Sequence, residues 1–295
     1  MDSFWIALQF LTRIHIIRRD HWDMDDFGKS VPYFTFIGVI IGILSTFVYL
    51  LTLFVLNQEL AALFTVIFQF LLTGGLHADG FMDTSDGLFS GRDRERKLEI
   101  MKDSRVGSNG VVGFVFLTLI KWQTLAFLPP YAAIPMLILL SAYSKWGLTM
   151  SIRLYPYARK EGMGKAFADL SPTHSVMTAF ITAIIATSLM LWMNTAGTYF
   201  IVLFFLAIGF NLVLNNYCAK HLGGLTGDTY GFVSESTEAL LLISYTFLVS
   251  TYQNFLLPEE ILILVVISVL FVGLAIWYRR RVLKQLATES EIVVD

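Results

Sequence analysis

The chain has 295 residues, of which 56% are hydrophobic and 15% charged, and its mean hydropathy is +0.65. A water-soluble domain carries roughly 25% charged residues, so the composition excludes one and indicates an integral membrane protein. The formal net charge of −2 says nothing about partners, because the signs are segregated by position; no nucleic-acid partner is expected, and the single cysteine, Cys218, excludes an intramolecular disulfide and any cysteine-rich metal site.

From the start, Phe4 to Ile17 is apolar but broken by Arg13 and His15. It is too short to span a bilayer and lacks a small-residue cleavage site, so residues 1–30 are expected to form an N-terminal interfacial segment. Eight apolar runs follow, at Val31–Leu56, Leu60–Leu76, Val111–Leu128, Tyr131–Met150, Ser175–Met193, Thr198–Tyr217, Ala239–Leu257 and Ile261–Tyr278. Each approaches the roughly 20 residues of a spanning helix. The expected fold is all-α: a polytopic membrane bundle of about eight helices, forming one domain over 1–295. Lys and Arg collect before the first run, in the segments 77–110, 151–174 and 218–238, and at the end. The intervening connections, Asn57–Glu59, Pro129–Pro130, Asn194–Gly197 and Pro258–Glu260, have none. That alternation predicts cytoplasmic termini and three motif-bearing cytoplasmic loops.

The first of those loops opens with Gly74-Gly75-Leu76-His77-Ala78-Asp79-Gly80-Phe81-Met82-Asp83-Thr84-Ser85-Asp86-Gly87. Asp79, Asp83 and Asp86, at i, i+4 and i+7, share one face if the stretch is helical. Clustered carboxylates repel and lose hydration near a bilayer. A hard divalent cation relieves both, and carboxylate oxygens are the ligands Mg²⁺ and Ca²⁺ prefer. A solvated acidic helix cap is the plainer reading. Glycines 74, 75, 80 and 87, which allow a ligand close to the backbone, favour the metal site. Arg92–Lys102 reads as a solvated surface helix, and Asp103 to Gly110 resembles an anion-cradling helix start.

Lys121 lies near the middle of the third run and Lys145 toward the end of the fourth. A membrane-embedded cation faces a counter-ion or a polar cavity. Snorkelling suits Lys145, whereas Lys121 is too deep for it and is expected to meet the aspartates or an anionic substrate. Arg153, Arg159, Gly162, Gly164 and Lys165 in RLYPYARKEGMGKAF suit phosphate binding. Gly223-Gly224-Leu225-Thr226-Gly227-Asp228 repeats the Gly-Gly-Leu of 74–76 at the end of another run and hints at an internal repeat.

GGLHADGFMDTSDGLFSGRDRERKLEIMKDSRVG, with FLTRIHI before it and YARKEGMGKAF and GGLTGDTYGFVSE after it, resembles the signatures of the adenosylcobinamide-GDP ribazoletransferases, the cobalamin (5′-phosphate) synthases. His15 departs from the pattern, standing where the family usually has proline. The resemblance implies a multi-pass protein of the bacterial cytoplasmic membrane, in contact with lipid, with its active site on the cytoplasmic side. It implies a Mg²⁺-dependent phosphotransferase that joins adenosylcobinamide-GDP to α-ribazole or its 5′-phosphate and releases GMP. A phosphodiester-forming displacement needs a cation, a proton acceptor and basic residues at the phosphates. The candidate catalytic residues are then His77, Asp79, Asp83 and Asp86, with His77 or an aspartate as base. The candidate metal ligands are Asp79, Asp83 and Asp86, with Asp103 or Asp228 completing the set. Arg105, Lys121, Lys145, Arg153, Arg159, Asp228 and Glu235 are candidate substrate contacts. Association of copies of the chain is left open. Asp83-x-x-Asp86-Gly also loosely resembles the opening of the CDP-alcohol phosphotransferase motif. The rival readings are a lipid-alcohol phosphotransferase and a secondary transporter with broken helices.

Overall fold

Backbone polar groups inside a bilayer must be satisfied within their own segment, and the chain is helical almost throughout. The computed structural model describes residues 2–17, 23–193, 198–251 and 258–292. These hold α1 (Asp2–Leu11), α2 (Met24–Ser30), a 3₁₀ turn (Val31–Tyr33), α3 (Phe34–Val55), α4 (Gln58–Thr73), α5 (Leu76–Leu88) and α6 (Arg94–Ile100). They continue with α7 (Ser108–Phe127), α8 (Pro130–Leu154), α9 (Met163–Leu170), α10 (Ser175–Met193), α11 (Thr198–Leu222), α12 (Gly227–Thr251) and α13 (Pro258–Ile292). No strand occurs among the described residues; Tyr157 and Leu225 form an isolated bridge. The all-α class follows.

Among the described residues six helical segments are long and apolar enough to cross a membrane: α2 with the 3₁₀ turn and α3, α7, α10, α11, α12 and α13. Their outward side chains are apolar, as at Phe54, Phe116, Trp192 and Leu274, which makes this a multi-pass membrane protein. The expected eight is not reproduced as a count. The second run, α4, qualifies only together with α5, from which it is bent by 91°. The fourth, α8, has the length but is diluted by Tyr143, Ser144 and Lys145, which are tolerated because they are buried among other helices. The Asn194–Gly197 connection, the end of the seventh run, and Arg18 and Arg19 lie outside the described residues.

α8 is the central post. α3 lies against it through Gly38 and Gly42, where an added Cβ would stand 2.5 Å from the Ser141 carbonyl oxygen and 2.5 Å from Ile138 Cα. Small residues four apart let two helix backbones approach without a hydrophobic driving force, which lipid does not supply. On the other side Ser151 donates to Asn215 Oδ1 (2.8 Å) and Tyr155 to Asn216 Oδ1 (2.7 Å), so α11 is tied on by buried hydrogen bonds.

In the N-terminal segment Ile6, Ala7 and Leu11 have no exposed surface and join the core with Phe27, Phe34 and Phe167. The three motif segments are largely helix, since 77–110 contains most of α5, all of α6 and the start of α7, 151–174 contains α9, and 218–238 is divided between α11 and α12 around a short turn. Their glycines and charges read as loop, but packing outweighs the roughly 1 kcal/mol propensity cost of a helical glycine.

Candidate active site

α4 ends on Gly74 and α5 begins behind Gly75, with φ of +63° and +72°, a region side chains other than glycine avoid. Gly223 and Gly224, with φ of +74° and +146°, use the same device after α11. α12 then starts on a reciprocal cap in which Thr226 N donates to Thr229 Oγ1 (2.8 Å) and Thr229 N to Thr226 Oγ1 (3.3 Å). The Gly-Gly-Leu echo therefore marks two equivalent turns, each followed by a carboxylate-bearing helix. Those helices cross in contact. A Cβ on Gly80 would lie 2.6 Å from the Asp228 carbonyl oxygen, and one on Gly231 would lie 2.8 Å from that of His77. Gly80 thus admits a helix backbone, not the ligand expected from sequence.

The crossing brings distant signature segments to one cavity of about 170 Å³, lined by Phe10 of α1, His77 and Asp79 of α5, Met163 and Phe167 of α9, and Asp228 and Tyr230 of α12. The segment leading to α9 is held there by backbone pairing: Leu225 N donates to the Pro156 carbonyl (2.8 Å) and Ala158 N to the Leu225 carbonyl (2.7 Å). Next to it Arg159 pairs with Asp228 at 2.8 Å. A second, open cleft of about 620 Å³ adjoins the cavity, sharing Phe10, Leu76, Asp79 and Met163 and adding Arg13, Gly74 and Met82.

Charge is concentrated at this junction. Half-buried Asp83 is pushed up to about 7 by burial and by the carboxylates of Asp79, Asp228 and Asp86, which Arg159 only partly offsets. α5 turns 91° away from α4 and, at 13 residues, is too short to span a bilayer alone. Burial and the charge of Lys145 hold the His77 imidazole well below its usual value, hence neutral. Its Nδ1 is buried with no hydrogen-bond partner.

The sequence-predicted residues separate into groups. Asp79, Asp83, Asp228, Arg159 and His77 come together. Asp86 lies beside Asp83 but is already engaged: its oxygens accept from Gly107 N (2.7 Å) and Gly110 N (2.8 Å). It thereby caps α7, whose N-cap glycine has no side chain to do so. Asp103 is elsewhere, paired with Arg105 at 2.7 Å and held down at about 2 by it. The Arg105 side chain is 88% exposed, away from the cavity. Arg153 reaches Ser171 Oγ at 3.4 Å.

Lys121 does not meet the aspartates; with Lys145, Glu235 and Glu238 it lines a small cavity of about 40 Å³. Its Nζ donates to Glu235 Oε2 (2.5 Å) and Glu238 Oε2 (2.6 Å). Lys145 lies 3.5 Å from Glu238 Oε1 and donates to Ser234 Oγ (3.0 Å), while Ser144 donates to Glu238 (2.7 Å). Two lysines and two glutamates thus form a neutral buried network linking α7, α8 and α12. Sequence reasoning missed Glu238; the available signal was a second acid one turn beyond Glu235, matching the second buried lysine.

A Mg²⁺ site fits these residues in a specific way. Among the described residues no three His, Cys, Asp or Glu side chains are grouped to hold a metal unaided; of the two residues expected to complete the set with Asp79, Asp83 and Asp86, Asp228 lies beside Asp83 and Asp103 pairs with Arg105. Mg²⁺, however, is usually bound through one or two carboxylates, water and substrate phosphate. Asp79, Asp83 and Asp228 supply hard oxygens whose mutual repulsion, visible at Asp83, a cation relieves.

The family model described as cobalamin-5-phosphate synthase matches residues 3–246. The chain belongs to the cobalamin-5-phosphate synthase family. It is 36% identical over 246 residues to the adenosylcobinamide-GDP ribazoletransferase of Brevibacillus brevis, covering 82% of this chain and 97% of that one. The protein of the same name from Alkaliphilus metalliredigens is 37% identical over 244 residues (82% and 94%), and that from Caldanaerobacter subterraneus 31% over 255 (84% and 99%). No solved structure matches the chain. In this synthase family member the matched region contains every residue of both cavities and of the buried network. It ends before α13.

Proposed function

We propose that the chain joins adenosylcobinamide-GDP to α-ribazole, or to α-ribazole 5′-phosphate, giving adenosylcobalamin or its 5′-phosphate and releasing GMP. The observation that carries this is the convergence of four sequence-distant signature segments on one cavity whose polar end holds coupled carboxylates and a neutral histidine. A product that keeps a 5′-phosphate requires the attacking oxygen to be another ribose hydroxyl. That oxygen bonds to the cobinamide-side phosphorus, and the bond from this phosphorus to the bridging oxygen breaks, so GMP departs with its charge. His77 takes the hydroxyl proton, since it lines the cavity, its imidazole is neutral and its Nδ1 has no hydrogen-bond partner within the protein. Asp79, Asp83 and Asp228 would hold Mg²⁺, which when bound supplies charge neutralisation to the pyrophosphate. Arg159, paired with Asp228, holds that carboxylate in place, and Arg13, on the wall of the open cleft, is the basic side chain nearest an incoming donor. The protein acts in the cytoplasmic membrane with this site on the cytoplasmic side.

The test is direct. Purified protein in liposomes with adenosylcobinamide-GDP, α-ribazole and Mg²⁺ should release GMP and a corrinoid of the joined mass. Uptake of either substrate into the vesicles without GMP would mean a transporter and overturn the reading.

A further inference from the structure

The 170 Å³ cavity is polar at one end only. There Asp79, Asp228 and His77 stand together. The other end is a box of rings: Phe10 and Phe34 are stacked with centroids 6.0 Å apart and planes within 14°, and Phe167 lies 4.8 Å from Phe10 and 5.7 Å from Phe34. Leu148 and Ile152 of α8, both buried, complete that end. Packed rings and branched aliphatics make a rigid apolar chamber that favours a flat aromatic group. The chamber is too small for a corrin ring, while the adjoining cleft of about 620 Å³ is open and meets it along Phe10, Leu76, Asp79 and Met163.

We infer that this chamber is the acceptor subsite: the aromatic base of the nucleoside packs against the wall formed by Phe10, Phe167, Leu148 and Ile152, and its ribose hydroxyls face Asp79, Asp228 and His77. The inference rests on the transferase reading above and adds to it the place and orientation of one substrate. The larger donor then approaches through the open cleft, which shares Asp79 with the chamber. It also makes the chamber, and not the polar end, the determinant of which base is accepted.

Two substitutions of opposite sense test it in the intact protein in lipid nanodiscs. Ile152→Phe fills the chamber and should weaken α-ribazole binding, read by calorimetry without donor or metal, by about 10-fold or more. It should raise KM for α-ribazole and leave KM for adenosylcobinamide-GDP within about 2-fold. Phe167→Leu opens the chamber and should shift preference toward a nucleoside with a larger, ring-extended base by about 10-fold. Should Ile152→Phe not fold, Leu148→Phe fills the same end. Folded variants that bind α-ribazole as the parent does, or that change both KM values equally, would overturn the subsite. Failure of the unsubstituted protein to release GMP would instead overturn the transferase reading, so the two failures are distinguishable.

Discussion

Asp83 shows in one residue why the site wants a cation. With Asp79, Asp228 and Asp86 around it, it titrates at about 7, far above an unfolded aspartate at roughly 3.9. The folded protein therefore holds a proton there that the unfolded chain releases. This contribution to stability is complete below about pH 4 and is lost as pH rises through about 7. Asp83→Asn, neutral at every pH, should remove that loss, so metal-free variant protein should melt higher than the parent at pH 8 and close to it at pH 5. Cation binding needs the ionised form, so Mg²⁺ affinity of the parent should weaken as pH falls below 7, and Asp83→Asn should lose turnover on the order of 10²-fold or more. A variant with parental turnover at limiting Mg²⁺ would show that Asp83 is not a ligand. At Lys121 the expectation is structural. Removing one member of a buried ion network leaves an uncompensated charge, so Lys121→Met should cost about 3–5 kcal/mol. Adding Glu235→Gln restores neutrality and should recover most of it. Thermal unfolding of single and double variants in detergent decides this, and a double variant as unstable as the single would show that charge balance is not what Lys121 provides.

At the scale of elements the site depends on the α5–α12 crossing and on the start of α7. Gly231→Val puts side-chain atoms where only 2.8 Å separates its Cβ position from the His77 backbone. It should destabilise by about 1–3 kcal/mol through overpacking and lower kcat more than KM, because it parts Asp79 from Asp228. Asp86→Ala should cost about 1–2 kcal/mol by uncapping α7, with a smaller loss of Mg²⁺ affinity than Asp83→Asn. Equal losses of affinity would place Asp86 among the ligands after all. Much of this was legible beforehand. The apolar runs marked the long helices, and the spacing of Asp79, Asp83 and Asp86 does sit on a helix. What stayed hidden was set by partners far along the chain. Asp86 finds its amides 21 and 24 residues later, and Lys121 finds its glutamates 114 and 117 residues later. Neither distance leaves a local pattern. Phe10 and Phe167 were unremarked for the same reason: each looks like ordinary core until the fold places both around one space.

For the whole molecule the decisive question is which end faces which compartment, and the structure makes the loop-charge expectation testable by geometry. One end gathers the α3–α4 and α7–α8 turns, where Gln58 donates to the carbonyls of Ala126 (2.6 Å) and Leu128 (2.8 Å), and Trp122 to that of Glu59 (3.0 Å). Those turns carry no Lys or Arg. The other end gathers the functional segments: Arg13 N donates to the Leu72 carbonyl (2.7 Å) before the α4–α5 bend, and Ala158 pairs with Leu225. α13 joins them there. Its Arg279 donates to the Leu154 carbonyl (2.5 Å) and lies over Tyr155, so the basic run Arg279–Arg281 is anchored beside the end of α8. α13 has 35 residues, about 50 Å at the helical rise, against roughly 30 Å of hydrocarbon. The part from Trp277 onward therefore extends past the lipid on the same side as the site. Positive charge accumulates on the cytoplasmic side, so the proposed orientation predicts that both cavities and the basic end of α13 face the cytoplasm. Cys218 is buried, so single cysteines added at exposed positions report cleanly. In intact cells Glu59→Cys should react with a membrane-impermeant maleimide and Glu161→Cys only after lysis. The reverse pattern would turn the molecule over and place the carboxylate site on the face away from its nucleotide substrates.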